Sequence, residues 1–259
     1  MAVRNIIGKE LHQMRWMIII GLLIGLGLAV ILVSTFYYLD QVVEEIPPDL
    51  LELLSQYEVT RELLFIFGDY SSYVWSQWNA KNLYQLGALF AIIIAASQFA
   101  GEVSRRTIGY YLTRPITRRE GYLAKVASGL LILLLIFGGG TVIIWAASAI
   151  TGHTADWGRF FGAVLISLIW LSAYYLLAAV ISTLNREPVT AGIVIGLAGI
   201  VLSLPGLFAA SRQFSIFYQM RAVEYFLYGQ PVLPSIALGL ALNGILLLIG
   251  LRVFAGRDF

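Results

Sequence analysis

The sequence predicts an all-α integral membrane protein with six transmembrane helices, and three observations carry that prediction. Of 259 residues, 59% are hydrophobic and 12% charged, against roughly a quarter charged in soluble domains, and mean hydropathy is +0.82. Six apolar runs reach the length of about 20 residues that a helix needs to cross roughly 30 Å of hydrocarbon. Basic residues gather in alternate connections between those runs, which keeps those connections in the cytoplasm. The formal charge of +2 and pI near 8.8 therefore report topology and not nucleic-acid binding. The lack of cysteine excludes disulfide frameworks, thiolate metal sites and cysteine nucleophiles.

In chain order, residues 1–16 come first. They set Val3, Ile7, Leu11 and Met14 on one helical face and Arg4, Lys9, Gln13 and Arg15 elsewhere. That suits a helix lying in the inner interface, with a frayed tail as the alternative. The first span, 17–39, exceeds the roughly 7–15 apolar residues of a signal-peptide core and ends without a small-x-small cleavage site, so a retained anchor is expected. The loop 40–82 is acidic, from Asp40 and Glu44 to Glu62 and Asp69 against only Arg61 and Lys81, as an external loop can be. Within it, 49–65 mixes leucines with acids and reads as a short helix packed on the outer ends of the spans.

Five more spans follow at 83–100, 122–150, 160–184, 188–208 and 233–254. The third is longer than a crossing requires, so it tilts or projects. Pro188 suits the first turn of the fifth, and Pro205-Gly206 kinks or ends it. Residues 209–231, with Phe214, Phe217, Tyr218, Tyr225 and Tyr228, are too aromatic for a solvated loop and read as a re-entrant segment before the sixth span. Trp16, then Phe36, Tyr37 and Tyr38, then Trp75, Trp78 and Tyr84 read as interfacial belts. Neither an internal repeat nor a linker interrupts the chain, so 1–259 forms one transmembrane domain. Arg4, Lys9 and Arg15 at one end and Arg252 and Arg257 at the other place both termini in the cytoplasm of a multi-pass plasma-membrane protein.

Catalytic chemistry is hard to build from this set. His12 and His153 fall on opposite sides of the membrane, which argues against a histidine metal site or a Ser-His dyad. Gly138, Gly139 and Gly140 lie in an apolar helix without the lysine of a nucleotide-binding loop. The spans lack an ionisable residue near mid-depth, which weighs against a proton-coupled carrier. Glu102 and Lys125, at the inner ends of spans two and three, are placed to snorkel. Gln98, Thr141, Ser148, Ser167, Ser172, Ser182 and Asn243 read as helix-to-helix glue, and the spaced pairs Gly21/Gly25, Gly158/Gly162 and Gly192/Gly196 as packing.

The connection 101–121 is different in kind. Thr117 and Glu120 form a T-x-x-E capping box that starts a helix running through Lys125, and Pro115 separates it from a preceding helical piece. Helix, break and helix at a cationic cytoplasmic surface, with Ile108, Tyr110, Tyr111, Leu112 and Ile116 among the arginines, is more than a positive-inside loop requires. The stretch GEVSRRTIGYYLTRPITRREGYLAKV resembles the loop between the second and third spans of ABC-2 type permeases. An acidic residue there precedes a T-[IL] dipeptide, a leucine, a Pro-[IV]-[ST]-R turn and a lysine. Here these are Glu102, Thr107-Ile108, Leu112, Pro115-Ile116-Thr117-Arg118 and Lys125. The sequence departs from the pattern at Arg105-Arg106, Gly109 and Tyr110-Tyr111.

The resemblance implies the permease subunit of an ATP-driven exporter, paired as a homo- or heterodimer and seated on a separate ABC ATPase. That partner would hold ATP and magnesium, and this chain no cofactor and no catalytic residue. The loop would be the coupling helix, with Glu102, Arg105, Arg106, Thr107, Tyr110, Leu112, Arg114, Pro115 and Arg118 as the docking residues. Spans one, two and five would surround the path, and uncharged spans favour a hydrophobic or amphiphilic cargo such as a peptide, an antimicrobial or a lipid-like molecule. A non-transporting adaptor for an ABC ATPase and a secondary carrier are the alternatives.

Overall fold

The computed structural model describes residues 2–45, 68–105 and 117–257, and every regular element among them is helical. Helix α1 (Ala2–Gln13) turns at Met14 into the long α2 (Arg15–Glu45). The second rod is composite, with α3 (Tyr70–Gln77), a π-helical turn over Trp78–Leu83, α4 (Tyr84–Gln98) and α5 (Ala100–Ser104). The third joins α6 (Arg118–Leu133) to α7 (Gly139–Ile150) through a second π-turn, Leu134–Gly138. Then come α8 (Trp157–Leu184) and α9 (Pro188–Ser203), the latter ending in a 3-10 turn over Leu204–Leu207. Short helices α10 (Ile216–Met220) and α11 (Val223–Phe226) lead to α12 (Val232–Gly256).

Among the described residues six rods are long and apolar enough to cross a membrane: Arg15–Leu39, Tyr70–Ser104, Arg118–Ile150, Trp157–Leu184, Pro188–Leu207 and Val232–Gly256. The chain is thus a multi-pass membrane protein, all-helical in its regular elements among the described residues. The second begins well before Leu83, because the expected belt tryptophans point inward: Trp75 and Trp78 are only 3% and 2% exposed. Trp78 Nε1 donates to Thr141 Oγ1 at 2.9 Å, and Trp75 stacks on Phe226. Trp16, Tyr37 and Tyr38 do lie on the outside. The short helix expected at 49–65 lies outside the described residues.

The fourth rod, α8, is the pillar: 67% of its apolar stretch is buried, against 17% for the fifth rod and 11% for the sixth. A helix with neighbours on most sides keeps only a narrow outward strip, here Phe161 and Leu165, and small residues let the rods approach. Gly25 lies against Gly140, where an added Cβ would come within 3.3 Å of backbone. Close backbone contact of this kind replaces the hydrophobic drive that is weak inside a bilayer. Buried hydroxyls and amides pair across rods, as in Asn79 to Ser167 at 3.1 Å and Tyr70 to Ser148 at 2.6 Å.

Candidate functional site

Two places combine polar chemistry with a break in regular structure. The first lies at the feet of the 106–116 connection. Helix α4 ends at Gln98 because the Ser182 hydroxyl enters its ladder. It donates to the Ala95 carbonyl at 2.9 Å and accepts from the Ala100 N–H at 3.2 Å. A side chain inserted into a helical ladder interrupts it, and Phe99 takes the distorted angles φ −106°, ψ −70°. The Gln98 carbonyl, released from the helix, accepts a hydrogen bond from Lys125 Nζ at 3.0 Å.

Around that ammonium a charge cluster closes. Lys125 Nζ lies 2.6 Å from Glu102 Oε2 and 3.1 Å from Glu10 Oε1, and Lys9 Nζ is 3.7 Å from Glu102 Oε1. Gln98 donates to Glu10 at 3.3 Å and to Ser128 at 3.0 Å, and its own oxygen accepts from the Tyr175 hydroxyl at 2.7 Å. Two cations and two carboxylates thus bind α1 to both feet and, through Tyr175, to the pillar. Lys125 and Glu10 are buried, with side chains 3% and 2% exposed. Lys125 therefore turns inward to a partner set where snorkelling outward was expected. Removing one member of such a buried pair strands the other, at a cost of about 3–5 kcal/mol.

Of the sequence-derived docking residues, the structure describes three. Glu102 faces into this cluster and is buried. Arg105 is exposed beside a crevice of about 270 Å³ that Glu10, Met14 and Glu102 also line. Arg118 donates to the Ala255 and Arg257 carbonyls at 3.2 and 2.6 Å, closing the end of α12, while Arg257 reaches the Asn185 carbonyl at 3.2 Å. A cation on the last carbonyls of a helix satisfies groups that have no partner within it. Arg106, Thr107, Tyr110, Leu112, Arg114 and Pro115 lie outside the described residues. The expected helix start is present: Thr117 accepts from the Glu120 N–H at 3.2 Å, and the Glu120 carboxylate accepts from the Thr117 N–H at 2.8 Å. Sequence reading passed over Glu10, whose place in the cluster depends on α1 packing against α6.

The second place is at the other end of the rods. A groove of about 550 Å³ lies between α4 and α9, with Phe217 and Tyr218 of α10 also lining it. Ala88, Leu89 and Ile92 form one wall, Gly196, Gly199 and Ile200 the other. Tyr174 stands at its back, donating to the Ile195 carbonyl at 3.3 Å. Tyr84, Gln85, Tyr218 and Arg221 supply polarity at the rim. The small Gly196 and Gly199 leave the wall of α9 open, and Gly196 has nothing within 4 Å of where a Cβ would sit.

Comparison with known proteins gives the chain's family. No curated protein and no solved structure matches the chain. A family model described as ABC-2 family transporter protein matches residues 4–214, which take in most of α1, the charge cluster and both walls of the groove. Members of such a family are membrane-spanning subunits, which implies a membrane setting and an ABC ATPase as partner. The match covers most of the chain, and the chain therefore belongs to the ABC-2 family of transporter permeases.

Proposed function

We propose that this chain is the permease subunit of an ATP-driven exporter, with its 106–116 connection seated on a separately encoded ATPase that holds ATP and magnesium. The observation that carries the proposal is the Glu10–Lys125–Glu102 cluster. The two feet of the connection and α1 share one buried charge set, so a displacement delivered to the connection reaches α1 and the pillar together. In this reading Arg105, Arg106, Thr107, Tyr110, Leu112, Arg114 and Pro115 meet the ATPase. Glu102 and Arg118 hold the connection's feet from within. Both termini and the connection face the cytoplasm, α1 lies in the inner interface, and α10 and α11 belong to a segment that re-enters the bilayer from outside.

The groove between α4 and α9 takes a hydrophobic or amphiphilic cargo, and a second permease completes the path beside it. The outward direction rests on the family resemblance alone. The test is affinity purification of the tagged chain from membranes that also contain the ATPase encoded beside it. Wild type is expected to retain the ATPase, and R106E/R114E to lose it at unchanged membrane insertion. Equal retention by that double variant would remove the connection from the contact.

A further inference from the structure

The groove carries more information than its apolar walls. Among the described residues its lining contains no acidic side chain and one cation, Arg221. The nearest carboxylate on the same segment, Glu224, is already taken. It lies 2.9 Å from Arg212 and accepts from the Tyr218 hydroxyl at 2.7 Å. Among the described residues no acid pairs with Arg221, and its side chain is exposed. A guanidinium without a counterion at the mouth of an apolar groove attracts an anion, and its planar fork fits carboxylate or phosphate oxygens in pairs.

The backbone around Arg221 is held with some care. Its carbonyl accepts from Trp75 Nε1 at 3.2 Å, which ties it to the head of the second rod. The next residue, Ala222, adopts φ +54°, ψ +33°, the left-handed region that a residue with a Cβ enters at a cost of about 1–2 kcal/mol. That turn ends α10 at Met220 and leaves Arg221 at the rim, while Ala222 is buried behind it. A solvated loop has no need of a strained, buried residue to fix the position of an arginine.

We propose that the groove binds single-chain amphiphiles with an anionic headgroup. The chain lies along Ala88, Ile92 and Gly196, and the headgroup is held by Arg221 with Gln85 and Tyr84 beside it. The groove's volume lies within the roughly 300–1,000 Å³ of sites that enclose a small organic molecule, which suits one acyl chain. The proposal rests on the transport reading for its purpose, although the binding itself does not require the ATPase.

The test uses the purified chain in a nonionic detergent and lysophosphatidylglycerol with a diazirine on its acyl chain. A lysophosphatidylcholine carrying the same diazirine and unlabelled inorganic phosphate serve as the other arms. Label from the anionic probe is expected at Ala88, Ile92 or Gly196, exceeding the zwitterionic probe by about tenfold, as befits one charge-assisted contact. R221Q should abolish that preference, R221E reverse it and R221K keep most of it. Inorganic phosphate at equal concentration should not displace the amphiphile. Equal labelling by both headgroups, a preference that survives R221E, or displacement by inorganic phosphate alone would each overturn the proposal. Loss of ATPase association leaves this labelling untouched, so the two readings fail separately.

Discussion

Lys125 on α6 and Glu102 on α5 approach to 2.6 Å, which joins the foot entering the 106–116 connection to the foot leaving it. With Glu10 as the second carboxylate, the lysine is the centre of the cluster. K125M removes the ammonium that the two buried carboxylates share, leaving Lys9 near Glu102 and the Gln98 amide on Glu10, and should lower stability by about 3–5 kcal/mol, read as a lower melting temperature in detergent. The triple variant K125M/E10Q/E102Q, which removes all three charges, should recover most of the loss, since buried ion pairs are often replaced at little cost. A K125M protein that melts with wild type would show that the cluster is not coupled to the fold.

The capping box at Thr117 makes a local prediction. T117A removes the acceptor for the Glu120 N–H and leaves an N-terminal donor of α6 unpaired. Amide exchange at Arg119, Glu120 and Gly121 should accelerate roughly fivefold, the effect of losing an ordinary cap, while T117S should keep the wild-type rate. No change in T117A would mean that the helix start is fixed by packing against α12 alone.

Two glycines on different helices separate packing from open space. A Cβ at Gly129 would meet the Tyr175 hydroxyl and the Gln98 side chain and so press on the hydrogen bond between them. Overpacking of this kind costs about 1–3 kcal/mol, so G129A should melt well below wild type. G196A, with nothing in reach, should melt with wild type. The order of the two melting temperatures decides whether Tyr175 is held as described.

Tyr218 gives the pH dependence. Burial comes first, and its hydrogen bond to the Glu224 carboxylate adds to it; together they raise the phenol above the ordinary tyrosine range. The folded group therefore keeps its proton at a pH where the unfolded one, near 10, begins to lose it. Its contribution is complete below that pH and declines as pH rises beyond it. The alkaline fall in melting temperature should be shallower in Y218F than in wild type, and parallel curves would assign the fall to other groups.

Hydropathy made the six rods legible because crossing a bilayer demands about 20 apolar residues, a requirement visible in one dimension. The Thr117 cap and Pro188 at the start of α9 were legible for a similar reason, since each is a rule about neighbours in sequence. Tyr70–Gln77 was not. Its serines and aromatics have the composition of an interface, and only the presence of Thr141 and Phe226 opposite turns Trp78 and Trp75 into core residues. The same holds for Glu10, which carries the signature of a solvated helix face until α6 brings Lys125 to it. Arg118 and Arg221 are both arginines near a helix end, and only their surroundings distinguish one that closes the end of α12 from one that faces a groove.

The break at Phe99 has a mechanical consequence. A continuous helix transmits a push along its axis, whereas a rod interrupted at one residue transmits it only if the joint cannot fold. Here Ser182 occupies the gap and Lys125 holds the carbonyl that the gap released, so the joint is splinted from two neighbouring rods. α5 is thereby tied at its start to two neighbouring rods, so a displacement of α5 would have to break or carry along the Ser182 and Lys125 contacts.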